Sequence, residues 1–294
     1  MLLGSVTQLR AASLDPSGDA MTIPVPGSVE VDPPPLETYT YGLLSVARVI
    51  TEDGRWQLDG VTYATDACAQ GGHVIGSRPQ PAPGGTSHDK PEAEGVTWVN
   101  GGGPFTVYTR LECSTVGFAD PEGTALRRLH LIEPREVERV FSLQIADVDP
   151  RLPLGTEPVP LLTALGALEA DAALHYAGRP TVHAPRWTQP HFAAARQVTP
   201  NGPMMRTELG SRIAFGGGYF DDPSEPAEPD PVSGRCWLIA TGTVTARRSA
   251  PFAHQAVTPE TNTRIAIAER TYALDADCYA AAVLLQLPSG SSEW

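Results

Sequence analysis

Lysine is almost missing from this sequence: of 21 basic residues only Lys90 is one, and 34 acidic residues leave a formal net charge of −13 at pH 7. Charge of that sign argues against a chain built to grip nucleic-acid phosphates, which needs a basic stripe and the counterion release that comes with it. Long apolar runs are absent as well. Nothing approaches the roughly 20 apolar residues of a membrane span. The stretch MLLGSVTQLRAASLDPSGDA has neither the basic start nor the long apolar core of a signal peptide. The expectation is a soluble protein made inside the cell, with no membrane partner. Cysteine is scarce: Cys68, Cys113, Cys236 and Cys278 are scattered without CxxC spacing. They read as buried small hydrophobes rather than as a metal site or a disulfide framework.

The usual catalytic spacings are lacking too. There is no GxSxG elbow, no HExxH, and no phosphate loop, because the only lysine does not follow a glycine run. NGGGPF and FGGGYF read as turns rather than ligand loops. His175 and His183 stand alone on apolar elements and read as hydrogen-bonded core or surface residues. Asp147 with Asp149, and Asp221 with Asp222, offer oxygen atoms to a hard cation, yet each pair lies in an acidic, proline-bearing segment of ordinary turn type. No convergent polar set emerges. The expectation is a non-enzyme with no catalytic residues, no cofactor and no metal.

What is present is turn chemistry. With 41% hydrophobic and 19% charged residues, 29 prolines and 28 glycines, the composition favours a β-rich or α+β chain, in one large domain or two ordinary ones. Residues 1–40 are polar and proline-bearing, an arm rather than a domain. YGLLSVARVI and RWQLDGVTYA alternate around Asp53–Gly54 as short strands do. More than thirty polar residues then follow Cys68, an interior loop of a length that is normally functional or disordered. PFTVYTRLECSTVGF resumes as a strand, with Phe105, Val107 and Thr109 on one face. Two strands flanking a polar excursion predict an extended hairpin arm.

TALRRLHLIEPREVERVFSL carries Leu126, Leu129, Val137, Val140 and Phe141 at near-helical spacing, and Pro134 predicts a kink or a restart. A second helix is predicted over roughly 158–176, on Leu161, Leu165, Leu168 and Ala172, with a glycine stop. A short strand (PTVHAP), a short helix (TQPHFAAARQ), a strand ending in a glycine turn (SRIAFGGGYF) and an acidic surface loop (DDPSEPAEPDPVSGR) come next. The chain closes with CWLIATGTVTARRSA and NTRIAIAERTYALDADCYAAAVLLQL. In the last stretch Ile265 and Ile267 share one face of a strand and Tyr272 and Leu274 the other. The parity changes across Glu269 and Arg270.

The order of these elements resembles the tailed-phage major capsid protein fold of the Hong Kong 97 type, over nearly the whole chain. PFTVYTRLECSTVGF before ALRRLHLIEPREVERVF is similar to a returning E-loop strand feeding a spine helix. LLTALGALEADAALHYAGRPTVHAPRWTQPHF is similar to the helix, strand and short helix of an A-domain. The resemblance implies an α+β fold with an N-terminal arm at 1–45, strands and an extended E-loop hairpin at 46–112, and a P-domain spine-helix region at 113–157. It further implies an A-domain at 158–242, P-domain strands at 243–271 and a return to the A-domain and C-terminus at 272–294.

The implied function is structural: a shell-forming subunit that self-assembles into an icosahedral phage capsid enclosing double-stranded DNA without sequence-specific binding. Its partners would be many copies of itself in hexamers and pentamers, with scaffold, portal or decoration proteins. The location would be the virion, after assembly in the host cytoplasm. The same fold serves encapsulins, so a nanocompartment shell is an alternative, as is an α+β enzyme or binding module with an unrecognised site. Some relatives join an E-loop lysine to a neighbour's asparagine, assisted by a glutamate seven residues further on; Lys90, Asn262 and Glu269 match those residue types. Against this, SHDKPEAE is a hydrophilic setting for Lys90, and Glu269 also reads as a partner of Arg264 or Arg270. In the family architecture a bulge near Glu269–Arg270 would re-aim the strand. Ile265 and Ile267 would then lie under the spine helix, and Tyr272, Leu274 and 280–287 in the other core.

Overall fold

The computed structural model describes residues 36–68, 97–115 and 120–288; the N-terminal arm up to 35 and the excursion at 69–96, with Lys90, lie outside the described residues. In chain order the first elements are α1 (Leu43–Val46), β1 (Arg48–Thr51), α2 (Trp56–Asp59), β2 (Thr62–Thr65), β3 (Thr97–Asn100) and β4 (Phe105–Ser114). The middle of the chain holds α3 (Pro121–Ala146), α4 (Leu161–His175), β5 (Thr181–Pro185) and α5 (Gln189–Ala194). Then come β6 (Thr199–Asn201), β7 (Met204–Arg206), β8 (Arg212–Gly216), β9 (Arg235–Thr241), β10 (Val244–Arg248), β11 (Phe252–Thr258), β12 (Thr263–Ala276) and β13 (Ala280–Gln286).

Helix α3 is set by its ends and its stripe. Asp120 caps it, accepting from the Gly123 amide at 2.8 Å, and Pro121 stands in the first turn, where the missing N–H costs nothing. Ala125, Leu129, Glu133, Val137, Phe141 and Ile145 recur every fourth residue and are all buried. The expected restart at Pro134 does not occur: the helix is continuous over 26 residues. Proline removes one backbone donor there, and burial of the flanking turns against strands offsets the loss.

Five strands form the first sheet, ordered β1–β10–β12–β11, with β4 pairing the other edge of β12. The DG turn does not make a hairpin. Instead β1 pairs in parallel with β10, while β2 pairs antiparallel with β3, Thr62 opposite Asn100 and Thr65 opposite Thr97. Local alternation was read correctly as strand in part, but the partners lie far along the chain. The expected hairpin partner is also corrected: the returning strand β4 pairs with β12, and it is the short β3, from the end of the polar excursion, that pairs with β2 to form a stem.

Six strands form the second sheet, ordered β13–β9–β5–β8–β7–β6. One core packs α4 and α5 on this sheet through Leu165, Leu168, Phe192, Phe215, Leu238 and Val283. A second core joins α3 to both sheets through Leu129, Phe141, Leu111, Tyr272, Ala214 and Ile239. Strands β5, β8, β9 and β13 therefore bury side chains on both faces, which is why they read as near-continuous apolar runs.

Strand β12 does not bend at Glu269–Arg270. It pairs with β4 without a break from Thr263 opposite Ser114 to Tyr272 opposite Phe105. The parity change in the sequence marks no bend, because the buried face of the strand carries small residues in its first half. Ala266, Ala268, Tyr272 and Leu274 all share it and belong to the core beneath α3, whereas Ile265 and Ile267 stay half-buried on the opposite face. Alanines let the helix lie close over the strand, with Leu111 and Val107 of β4 filling the space beside them. Passage to the other core happens in the turn after Ala276, and Ala281, Val283 and Leu285 do fill that core.

Candidate assembly site

Three junctions tie the segment at 39–43, the long helix α3 and the β2–β3 stem to the two sheets. The first is organised by Glu138, a carboxylate with no exposed surface at the middle of α3. It accepts hydrogen bonds from the Tyr39 hydroxyl (2.6 Å), the Leu43 amide (3.0 Å) and the Gly218 amide (2.9 Å). Burial pushes its pKa up, opposed by these three donors and by Arg186. The Arg186 guanidinium lies 4.6 Å over the Tyr39 ring and donates to the Thr40 carbonyl at 3.0 Å. Residues 39–43 are thus clamped between the helix and the second sheet, where the Phe215 amide also donates to the Tyr41 carbonyl at 2.7 Å.

FGGGYF supplies the turn that reaches Glu138, as a turn reading requires. A Cβ at Gly218 would run into the backbone carbonyl of Arg135 and crowd the Glu138 side chain. Next to it His183 is fully enclosed, its Nδ1 2.8 Å from the Tyr219 hydroxyl and its Nε2 2.9 Å from the Thr241 hydroxyl. Burial holds its pKa down at about 3, so it is neutral and structural. His175 likewise bonds locally, with Nδ1 2.9 Å from the Asp171 carbonyl.

The second junction is Glu133 with Arg270. Arg270 donates to Glu133 at 3.0 Å, and their side chains are 12% and 4% exposed. Arg270 therefore does not serve Glu269, as the sequence had offered, but reaches the helix from the buried face of β12. Burial pushes Glu133 up and Arg270 pulls it back. Both glutamates fall on the apolar stripe of α3, and that placement was the available sequence signal.

The third junction is the foot of the β2–β3 stem. The Gly102 amide donates to the Leu274 carbonyl (2.9 Å), Gly101 to Val61 (2.8 Å) and Ala177 to Ala67 (2.7 Å). A side chain at Gly102 would strike Gln144 of α3, so NGGGPF is a turn threaded past the helix end. Beside it Cys68 and Cys278 form a disulfide, with Cα atoms 6.1 Å apart. This overturns the reading of all four cysteines as plain hydrophobes; Cys113 and the buried Cys236 remain thiols. A separation of 210 residues carries no spacing signal. Asp275, buried at the same foot, is pushed up to about 6 by burial and by Asp277, with Arg247 opposing.

Of the residues that match the cross-link set, Asn262 and Glu269 are described and lie apart. Lys90 lies outside the described residues. Asn262 sits in the β11–β12 turn with φ +50° and accepts from the Thr115 hydroxyl at 2.8 Å. Glu269 stands in the strand opposite Tyr108 on one side and Phe252 on the other. At ~3.3 Å rise per residue the two are on the order of 20 Å apart.

Asp221 accepts from the Trp187 indole (2.7 Å) and the Asp230 amide (2.6 Å), and Asp222 from the Ser224 amide (2.9 Å), so this acidic pair orders its own loop. Among the described residues no three His, Cys, Asp or Glu side chains are placed to hold a metal ion. Several large apolar side chains face outward instead. Tyr108 and Phe252 are 62% and 59% exposed on the side of the first sheet away from α3, and Trp98 on the stem is 67% exposed.

No model of a known protein family matches the sequence, and no curated protein does. Solved structures do match. The capsid of Ralstonia phage GP4 is 8% identical, with a TM-score of 0.50 over 96% of this chain and 100% of that one. The capsid of an empty GTA particle is also 8% identical, with a TM-score of 0.52 over 87% of this chain and 100% of that one. At such identity the likeness is one of fold: the chain has the tailed-phage major capsid protein fold of the Hong Kong 97 type, an α+β architecture.

Proposed function

We propose that this chain is the shell-forming subunit of a phage-type capsid, self-assembling into an icosahedral container for double-stranded DNA. The observation that carries the reading is the extent of the likeness, which covers 96% of this chain and the whole of a phage capsid chain. The chain's own physics supports it. Tyr108, Phe252 and Trp98 are exposed apolar side chains that a neighbouring copy would cover, and repeated contacts among identical copies close into symmetric shells. A net charge of −13 fits a container whose wall does not adhere to packaged DNA.

In this reading 1–45 is the N-arm, 46–112 carries the E-loop, 113–157 and 243–271 build the P-domain, and 158–242 with 272–294 build the A-domain. The partners are other copies of the chain in pentamers and hexamers, with scaffold, portal or decoration proteins, in a virion assembled in the host cytoplasm. Assembly of the shell itself requires no catalysis.

A covalent seam is part of the same proposal. The amine of Lys90 of one subunit, having given a proton to a glutamate such as Glu269 supplied from the surrounding lattice, would attack the side-chain carboxamide carbon of Asn262 of another, forming an isopeptide bond and releasing ammonia; one chain keeps Asn262 and Glu269 apart. Denaturing electrophoresis of assembled particles tests it: ladders above the 31.2 kDa chain support the seam, and a single band at that mass removes it. The shell itself is tested by negative-stain microscopy of the purified protein. Closed shells or ring-shaped capsomers are expected. Isolated monomers or dimers at high concentration would overturn the reading, and small closed shells around protein cargo would favour the encapsulin alternative.

A further inference from the structure

We propose that Cys68 and Cys278 form a redox-controlled latch on the hairpin stem. The bond joins the foot of a thinly buried stem to the margin of the core on the second sheet, against which Ala67, Cys68 and Cys278 pack half-buried. Cys68 follows β2 by three residues, and Cys278 sits in the turn between β12 and β13, where the chain passes from one core to the other. No residue of β2 or β3 belongs to the buried core, and Thr62, Ala64, Trp98 and Asn100 are exposed. Beyond the foot contacts already described, the disulfide is the one covalent tie between the stem and the second sheet. It pins Cys278 beside Asp277, whose carboxylate accepts the Cys278 amide at 2.9 Å.

The bond is reachable. Both cysteines are half-buried and line an open cleft of about 710 Å³ walled by Trp98, Gln144, Arg151 and His175. A small thiol or disulfide can enter such a space, and thiol–disulfide exchange requires that access. Closure is then balanced as follows. The thiolate of one cysteine attacks a low-molecular-weight disulfide such as oxidised glutathione, forming a mixed disulfide and releasing one small thiol. The thiolate of the other cysteine attacks the protein sulfur of that mixed disulfide, closing Cys68–Cys278 and releasing the second small thiol. Two protein thiols are oxidised and one small disulfide is reduced. Excess small thiol runs the sequence backwards. The other two cysteines do not compete: burial pushes the Cys236 thiol up, and Cys113 points its thiol at the Arg264 carbonyl across the strand pair, 3.6 Å away.

With the latch open, the stem would be held only by its foot hydrogen bonds and by the packing of Ala67 and Cys68 on the core margin; with it closed, its orientation is fixed. For a shell subunit, a link that rests on the proposed function, this would let stems adjust while copies assemble under reducing conditions and fix them after oxidation. The test is read on the isolated full-length chain. The protein is equilibrated with oxidised glutathione or with dithiothreitol, its free thiols are counted by mass spectrometry after alkylation, and amide exchange is followed by peptide.

Oxidised protein is expected to show two free thiols and reduced protein four. Reduction should raise exchange at least tenfold in 61–68 and 97–102 and leave β9 and β13 protected. Cys68→Ser and Cys278→Ser should match the reduced protein and ignore the oxidant. Four free thiols after oxidation, stem exchange unchanged by reduction, or an equal rise in every strand would each overturn the latch. None of these outcomes depends on whether shells form, and absence of shells would leave the latch result standing.

Discussion

Replacing Glu138 by alanine should be among the most damaging changes available to this fold. Three donors converge on the carboxylate: the Leu43 and Gly218 amides at 3.0 and 2.9 Å and the Tyr39 hydroxyl at 2.6 Å. Hydrogen bonds to a charged group contribute roughly 1.5–3 kcal/mol each, and a buried donor left without a partner costs about 1–3 kcal/mol. Tyr39 is only partly buried and can turn its hydroxyl to water. The two amides cannot. Against this, removing the carboxylate also relieves its own desolvation, the cause of its raised pKa. The balance is a loss of about 2–5 kcal/mol, set against total stabilities of roughly 5–15 kcal/mol. Glu138→Gln keeps the shape and one acceptor oxygen but turns an amide group toward a donor, so about 1–3 kcal/mol is expected. Urea unfolding at pH 7, followed by circular dichroism and tryptophan fluorescence, gives both values. A loss below about 1 kcal/mol for the alanine variant, with an unchanged urea slope, would refute the assignment of Glu138 as the tie between arm exit, helix and glycine turn.

Asp275 should act in the opposite direction. Its pKa of about 6 in the fold exceeds an unfolded value of about 3.9. Stability from this group is therefore fully present below pH ~4 and lost as pH rises through about 6, by up to about 3 kcal/mol. Asp275→Asn should match the wild type near pH 4 and exceed it by about 1–3 kcal/mol at pH 8 in urea titrations; an asparagine variant less stable at pH 8 would contradict this. Arg270→Ala strands Glu133 in the core and should cost about 3–5 kcal/mol at pH 7, and less as the pH falls and Glu133, already pushed up by burial, takes up a proton. A double variant, Glu133→Gln with Arg270→Met, should recover part of that loss in the same assay, and no recovery would place the damage outside the pair.

Sequence patterns exposed what depends on local spacing. The alternation of β4 and the apolar face of α4 were each legible, and the order of elements pointed to the observed fold; the strand that closes the hairpin was not, because β4 pairs with β12 and the short β3 takes the place beside β2. What local pattern could not hold was choice of partner. Strand β1 runs into a DG turn yet pairs with β10, almost two hundred residues away. Ile265 and Ile267 outweigh Ala266 and Ala268 on any hydrophobicity scale, but the face beneath α3 has room only for small side chains beside Leu111 and Val107. Pro134 signalled an interruption that the packing of 26 helical residues overrode. The Cys68–Cys278 bond depends on two turns meeting in space, and nothing along the chain announces it. Glu133 and Glu138 are legible in principle, as charges on a buried stripe, but the apolar residues around them already satisfy the helical period without them.

The shell assignment is tested most directly by a cryo-electron-microscopy reconstruction of whatever the purified full-length chain assembles into. An icosahedral wall is expected, with this fold repeated at five-fold and six-fold positions and with Tyr108, Phe252 and Trp98 covered by neighbouring copies. A uniform population of monomers or dimers at high concentration, with those three side chains still open to solvent, would contradict it.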